Sequence, residues 1–121
     1  MNESREDYLE TLFVLNQKYP NSVRSVDVAK MLGYTKSSVS RAMTILKEEG
    51  YVTCDERGYL VLTNLGKDLA ENIYEKHQIL STYLQKCVKV DKETAEADAC
   101  RMEHIISEIT YQKIKELVLQ V

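Results

Sequence analysis

The chain has 121 residues, 44% of them hydrophobic and 29% charged, with one Pro, four Gly and a net charge of −3. Such values belong to an ordinary globular chain and exclude a low-complexity or disordered polymer. The longest apolar runs are too short to span a bilayer, and the slightly acidic balance excludes a globally basic nucleic-acid binder, so any such surface has to be local.

The length allows one domain, or two small ones sharing a core. The opening residues Met-Asn-Glu-Ser-Arg-Glu-Asp carry no apolar signal core, so the expectation is a cytoplasmic protein. Cys54, Cys87 and Cys100 are odd in number and widely spaced. They form neither a disulfide framework nor a CxxC zinc pair.

Taken in order, a first helix is predicted from about Ser4 to Lys18, with Tyr8, Leu9, Leu12, Phe13 and Leu15 on its apolar face and Ser4 as its N-cap. Asp7 and Glu10 share a stripe of that helix, where acidic residues also suit the helix dipole. After a turn at Tyr19-Pro20-Asn21-Ser22, a second helix runs from Ser25, its expected N-cap, to Leu32, with Val26, Ala29 and Leu32 inward. Gly33-Tyr34-Thr35 forms a tight turn. A third helix follows from about Lys36 to Glu49, apolar at Val39, Met43, Ile45 and Leu46 and ended by Gly50.

The period then changes to that of strands. Tyr51–Cys54 and Tyr59–Thr63 flank the hairpin turn Asp55-Glu56-Arg57-Gly58. Three helices and a hairpin in this order, with a glycine turn between the second and third helices, are the plan of a winged helix-turn-helix. Thr35, Lys36, Ser37, Ser38, Ser40, Arg41 and Lys47 on the third helix, with Arg57 on the wing, are the candidate DNA-binding residues. Hydroxyls at a helix N-terminus approach phosphates and base edges closely, and Lys and Arg neutralise backbone charge. Between Ser22 and Asp68 seven basic residues face six acidic ones, so a positive patch requires the fold to segregate the signs.

A fourth helix, capped by Thr63-Asn64-Leu65-Gly66, is predicted to reach about Cys87 with Leu69, Ile73, Ile79, Leu80, Tyr83 and Leu84 apolar and His77 in its middle. It is longer than a small winged helix needs and so enters a second packing environment. Asp91 is the expected N-cap of a fifth helix, and a sixth runs from about Ser107 to Leu119 with Ile109, Ile114, Leu117 and Val118 apolar. These end helices are too small to bury that surface alone, which points to a homodimer. The expected fold is mainly α, with a winged helix-turn-helix over residues 1–70 and a helical dimerisation and metal-binding domain over 71–121.

The fifth helix carries Asp98-Ala99-Cys100-Arg101-Met102-Glu103-His104. Cys100, Glu103 and His104 stand three and four residues apart on one helical face, bringing a thiol, a carboxylate and an imidazole to one stripe. With Asp7, Glu10 and His77 they make six candidate metal ligands, at the two ends of a DNA-binding module.

These features resemble the diphtheria toxin repressor and manganese transport regulator family (DtxR/MntR). The strings that carry the likeness are Asp-Tyr-Leu-Glu-Thr-Leu in the first helix, Ser-Ser-Val-Ser in the third, Gly-Tyr-Leu-Val-Leu-Thr in the wing and Cys-Arg-Met-Glu-His in the fifth. The resemblance implies a metal-dependent repressor of metal-ion homeostasis that binds a palindromic operator in double-stranded DNA as a homodimer. It implies Asp7 and Glu10 as the helix-one ligands of the manganese-responsive branch, His77 as the ligand of the long helix, and Glu103 and His104 as the shared late pair. Cys100 departs from that branch, which has Glu there, and matches the iron-responsive one. Against the longer family members, the C-terminal SH3-like domain is expected to be missing.

Hard oxygens with one soft sulfur favour Fe(II) or Mn(II), with iron slightly ahead because of Cys100, and six donors suffice for one octahedral ion or two neighbouring ions. Other classes stay open at this stage: a winged-helix regulator without metal response, a metalloenzyme built on the Cys-x-x-Glu-His stripe, or an interaction module of long helices. No general base, phosphate loop or nucleophile elbow accompanies the stripe, so an enzyme is not expected.

Overall fold

Helix α1 (Glu3–Lys18) forms because its apolar side chains recur at helical spacing, and Tyr8, Leu9, Leu12, Phe13 and Leu15 are all buried. The computed structural model describes residues 3–120. Ser4 lies inside α1 and is not its cap. Helix α2 spans Ser25–Leu32, and its N-cap is Arg24, one residue before the serine expected there. The Asp27 carboxylate accepts from the Arg24 backbone N–H (2.8 Å), which satisfies that amide from the third helical position. Val28 and Ala29 are buried, whereas Val26 and Leu32 are half-buried, so the inward face of α2 is turned from the predicted one.

Gly33 ends α2 at φ 72°, a left-handed conformation that glycine adopts without steric cost. Thr35 then caps helix α3 (Lys36–Glu48) by accepting from the Ser38 N–H (3.2 Å). Val39, Met43 and Leu46 point into the core, but Ile45, expected among them, is exposed. Strands β1 (Val52–Cys54) and β2 (Leu60–Leu62) pair antiparallel, with Val52 opposite Leu62 and Cys54 opposite Leu60. They are shorter than predicted, leaving Tyr51, Tyr59 and Thr63 outside. The Asp55 carboxylate shapes the turn by accepting from the Arg57 and Tyr59 N–H groups (2.9 and 3.0 Å). Asn16 of α1 pins the wing through β2, donating to the Leu60 carbonyl (3.1 Å) and accepting from the Leu62 N–H (3.4 Å).

Helix α4 (Asn64–Tyr83) starts where Thr63 accepts from the Gly66 N–H (3.1 Å) and donates to the Gly50 carbonyl (2.6 Å). The helical path continues as a π-helical turn over Leu84–Val88 and stops at Lys89, whose φ is 70°. Asp91 caps helix α5 (Lys92–Ile105), accepting from the Thr94 N–H (3.0 Å), and Ser107 caps helix α6 (Glu108–Leu119) in the same way (3.2 Å). The chain divides into two compact units, Met1–Glu71 and Asn72–Val121, and α4 contributes to each.

The first unit is the helix-helix-helix-hairpin arrangement of a winged helix-turn-helix. The core of the second is Leu80, Leu84, Ala95, Ala99, Tyr111 and Ile114. Of the apolar residues read on α6, Ile114 is buried but Ile109 and Leu117 are 78% and 48% exposed, while Tyr111, not predicted as core, is buried. No described helix is long and apolar enough to cross a membrane.

Tyr111 sits beside Glu75, which Lys115 holds in an ion pair (2.5 Å). Burial pushes the Tyr111 phenol up to about 12, with the Glu75 charge adding to the effect. The raised value means that the neutral phenol supports the fold below its ordinary value of 10.0, and that this support is lost as pH rises from there through about 12. Thermal melts of the wild type across that window should lose at most about 2.7 kcal/mol more stability than melts of Tyr111→Phe. Parallel curves for the two proteins would refute the assignment.

Candidate metal centre and nucleic-acid interface

In the second unit α5 presents its polar stripe as the 3.6-residue period requires, with Cys100, Glu103 and His104 on adjoining turns. The Glu103 side chain is fully buried and that of His104 is 1% exposed, while Cys100 lies at the surface. The Cys100 sulfur, a His104 ring nitrogen and a Glu103 oxygen lie within 4.8 Å of one another. His77 reaches this carboxylate from α4, with Nδ1 2.9 Å from Glu103 Oε2. The other ring nitrogen, Nε2, lies 2.5 Å from Glu96 Oε2. Sequence reasoning passed over Glu96. Its signal was its place seven residues before Glu103, two helical turns away on the same stripe.

Glu103 Oε1 is buried and accepts no hydrogen bond. His104 Nε2 is 3.4 Å away but not aligned to donate. A buried carboxylate oxygen left without a donor costs about 1–3 kcal/mol or more unless something else meets it. With imidazole and sulfur donors beside the carboxylate, Glu103 has the surroundings of a cation ligand, so the residues of this unit fit a divalent metal. Asp7 and Glu10 lie in the first unit, both half-buried and one turn apart on α1.

The second candidate surface is on the first unit. Thr35, Lys36, Ser37, Ser38, Ser40, Arg41, Lys47 and Arg57 are all exposed. The fold turns the apolar residues of α3 inward and leaves this hydroxyl and basic face to solvent. Thr35 Oγ1 also donates to Ser38 Oγ (2.8 Å) and lies 3.3 Å from Ser37 Oγ, so its hydroxyl is committed to the cap. Lys36, Arg41 and Lys47 remain the cationic groups on this face.

A winged helix-turn-helix with a basic recognition helix, followed by a helical unit holding a buried carboxylate among sulfur and imidazole donors, defines a class of DNA-binding regulator with a metal-type centre. The particular family follows from comparison. Residues 1–60 match the N-terminal DNA-binding domain of the iron-dependent repressors, and residues 63–121 match their metal-binding and dimerisation domain. The HTH-type transcriptional regulator MntR of Lysinibacillus sphaericus is 30% identical over 117 residues, which cover 95% of this chain and 81% of that protein. An uncharacterised HTH-type transcriptional regulator of Methanocaldococcus jannaschii is 29% identical over 115 residues, covering 95% of this chain and 92% of that one.

Among solved structures, IdeR of T. acidophilum superposes with a TM-score of 0.81 at 25% identity, over 96% of this chain and 54% of its own. A manganese-dependent transcriptional repressor in complex with manganese superposes with a TM-score of 0.87 at 23% identity, over 94% of this chain and 52% of its own, a likeness of fold. The chain therefore spans about half the length of these solved relatives. It belongs to the iron-dependent repressor (DtxR/MntR) family of metal-dependent transcriptional repressors. Both of the sequence relatives named above are transcriptional regulators.

Proposed function

We propose that this protein is a homodimeric repressor of metal-ion homeostasis that binds a palindromic operator when loaded with Fe(II) or Mn(II). The observation that carries the reading is the buried Glu103 carboxylate, with one oxygen unbonded, within 4.8 Å of the Cys100 sulfur and the His104 imidazole. The ligands are His77, Cys100, Glu103 and His104 from the second unit, with Asp7 and Glu10 supplied by α1, as the family resemblance implies. A divalent ion, when bound, supplies the positive charge that offsets the carboxylates and the thiolate. Asp7 and Glu10 belong to the DNA-binding unit, and the other four to the unit that dimerises. Metal binding that engages ligands from both, through one ion or two, sets the separation of the two recognition helices in a dimer, which must match half-sites on the order of 34 Å apart. Ile105, Ile109 and Leu119, each more than 70% exposed on the second unit, supply apolar surface for the dimer contact.

On the DNA side, Lys36, Arg41, Lys47 and Arg57 neutralise phosphates, and Ser37, Ser38 and Ser40, with the Thr35 cap, set the N-terminus of α3 against the duplex. Cys100 gives the site a softer donor than an all-oxygen manganese centre, which places Fe(II) slightly ahead of Mn(II).

The test is selection of duplexes from a random pool under anaerobic conditions with Fe(II), Mn(II) or Zn(II), each against a chelated control. The expected result is an inverted repeat enriched with Fe(II) or Mn(II) and lost on chelation. Enrichment that survives chelation would instead establish a regulator without metal response. Replacing Arg41 by Ala should weaken binding of the selected duplex evenly across sequence variants and reduce the slope of log affinity against log salt by about 1. An unchanged slope would remove Arg41 from the interface.

A further inference from the structure

The metal centre described above leaves one carboxylate without a role. Glu96 stands on α5 two turns before Glu103, on the same stripe, and the His77 ring lies between them. One ring nitrogen faces each acid. Nδ1 is 2.9 Å from the buried Glu103, and Nε2 is 2.5 Å from Glu96, whose side chain is 41% exposed.

The two acids are not equivalent. Glu103 adjoins the Cys100 and His104 donors and keeps a buried oxygen unbonded, so a cation held by Glu103 lies on the Nδ1 side of His77. Glu96 meets only the far side of the ring. For the imidazole to offer a lone pair from Nδ1, its proton has to reside on Nε2, and a carboxylate at hydrogen-bond distance from Nε2 stabilises that tautomer. The same contact holds the ring plane: α4 supplies the histidine, α5 supplies both acids, and the ring is gripped at its two ends. Histidines that ligate metals commonly donate their other N–H to a carboxylate in this way.

We infer that Glu96 is a positioning residue that accepts the His77 Nε2–H and thereby presents Nδ1 to a divalent cation bound at Glu103. The inference rests on the metal-centre reading above and adds a residue outside its ligand set. The role is that of an outer partner, since Glu96 acts through His77.

The test uses the whole chain with Glu96→Gln and Glu96→Ala, read at one fixed neutral pH. Gln keeps an acceptor oxygen for Nε2–H, and Ala does not. Mn(II) affinity should fall roughly 10–100-fold in Glu96→Ala and be largely retained in Glu96→Gln. The second readout is the ¹⁵N spectrum of Zn(II)-loaded protein. It is tractable because the chain has only two histidines, His77 and His104. Wild type and Glu96→Gln should show a hydrogen-bonded, exchange-protected Nε2–H on His77, and Glu96→Ala should lose that protection.

Equal Mn(II) affinity in Glu96→Ala and wild type would overturn the inference. So would an equal loss in both variants, which would make Glu96 a ligand in its own right. If the wild type takes up neither Mn(II) nor Zn(II), the metal-centre reading fails as well, an outcome distinct from a loss confined to the Glu96 effects.

Discussion

Glu103→Gln is expected to abolish metal-induced stabilisation and metal-dependent DNA binding while leaving the metal-free fold intact. The two effects separate because the residue does two opposed things. Glu103 is a fully buried carboxylate with one oxygen accepting no hydrogen bond. Without a cation this arrangement is unfavourable, and a neutral amide of the same shape removes the buried charge while keeping an oxygen for the His77 contact. The melting temperature of metal-free Glu103→Gln should therefore equal or exceed that of wild type. The metal-loaded state reverses the order. Wild type at a free Mn(II) concentration about 100 times its dissociation constant should gain about 2.7 kcal/mol, and the variant should gain almost nothing. Mn(II) affinity should fall by more than about 100-fold, since even outer partners of metal ligands are worth 10–100-fold. Paired melts with and without Mn(II) decide the matter. A variant that is destabilised without metal and still responds to it would make Glu103 a structural residue only.

The second large effect is expected at Gly66, which is not among the proposed ligands. A Cβ built there lies 2.0 Å from the Tyr51 carbonyl oxygen and 3.2 Å from Leu62 Cδ2. The Tyr51 carbonyl has little room to move, because it accepts the Thr63 N–H (3.0 Å) at the start of α4. Gly66→Ala sets two terms against each other. Helix propensity favours Ala by about 1 kcal/mol, whereas a contact far inside van der Waals distance forces the helix start away from the wing. The clash wins, because its partner is backbone tied into the hairpin. We expect a loss of about 3 kcal/mol or more, read as a lowered midpoint in urea unfolding, and with it loss of DNA binding at every metal concentration. A Gly66→Ala protein as stable as wild type would show that the helix start has slack.

The comparison with Glu103→Gln is informative because the two variants lose DNA binding by different routes. One retains a folded winged helix that no longer answers to metal. The other weakens the winged helix itself, so its folded fraction still binds metal while its stability is lowered with and without metal.

Much of this molecule was legible in its order of residues. The helical and strand periods changed where the fold changes, at Gly50 and again after the wing. Asp91 announced a helix start, because a short polar side chain before an apolar helical pattern has a backbone amide to satisfy; Thr35 and Ser107, not singled out as caps from the sequence, do the same in the structure. The Cys100, Glu103 and His104 stripe was readable because three- and four-residue spacing places side chains on one helical face whatever surrounds the helix.

Other features depended on which neighbour each face meets. Val28, not Val26, joins the expected Ala29 as a buried residue of α2, because a short helix carries apolar groups on more than one side and packing selects among them. Ile45, Ile109 and Leu117 lie outward for the same reason. The cap of α2 moved to Arg24 because Asp27 meets its backbone amide, a preference set by geometry rather than by residue type. Glu96 was one acidic residue among many until the fold brought His77 between it and Glu103. By itself, then, the sequence determined the winged helix, the helical second unit and the three-residue stripe on α5, all of which follow from local periodicity. Only the tertiary structure decided that Glu103 is buried with an unmet oxygen and that His77 is held from both ends, because burial and long-range hydrogen bonds are properties of what packs against a residue.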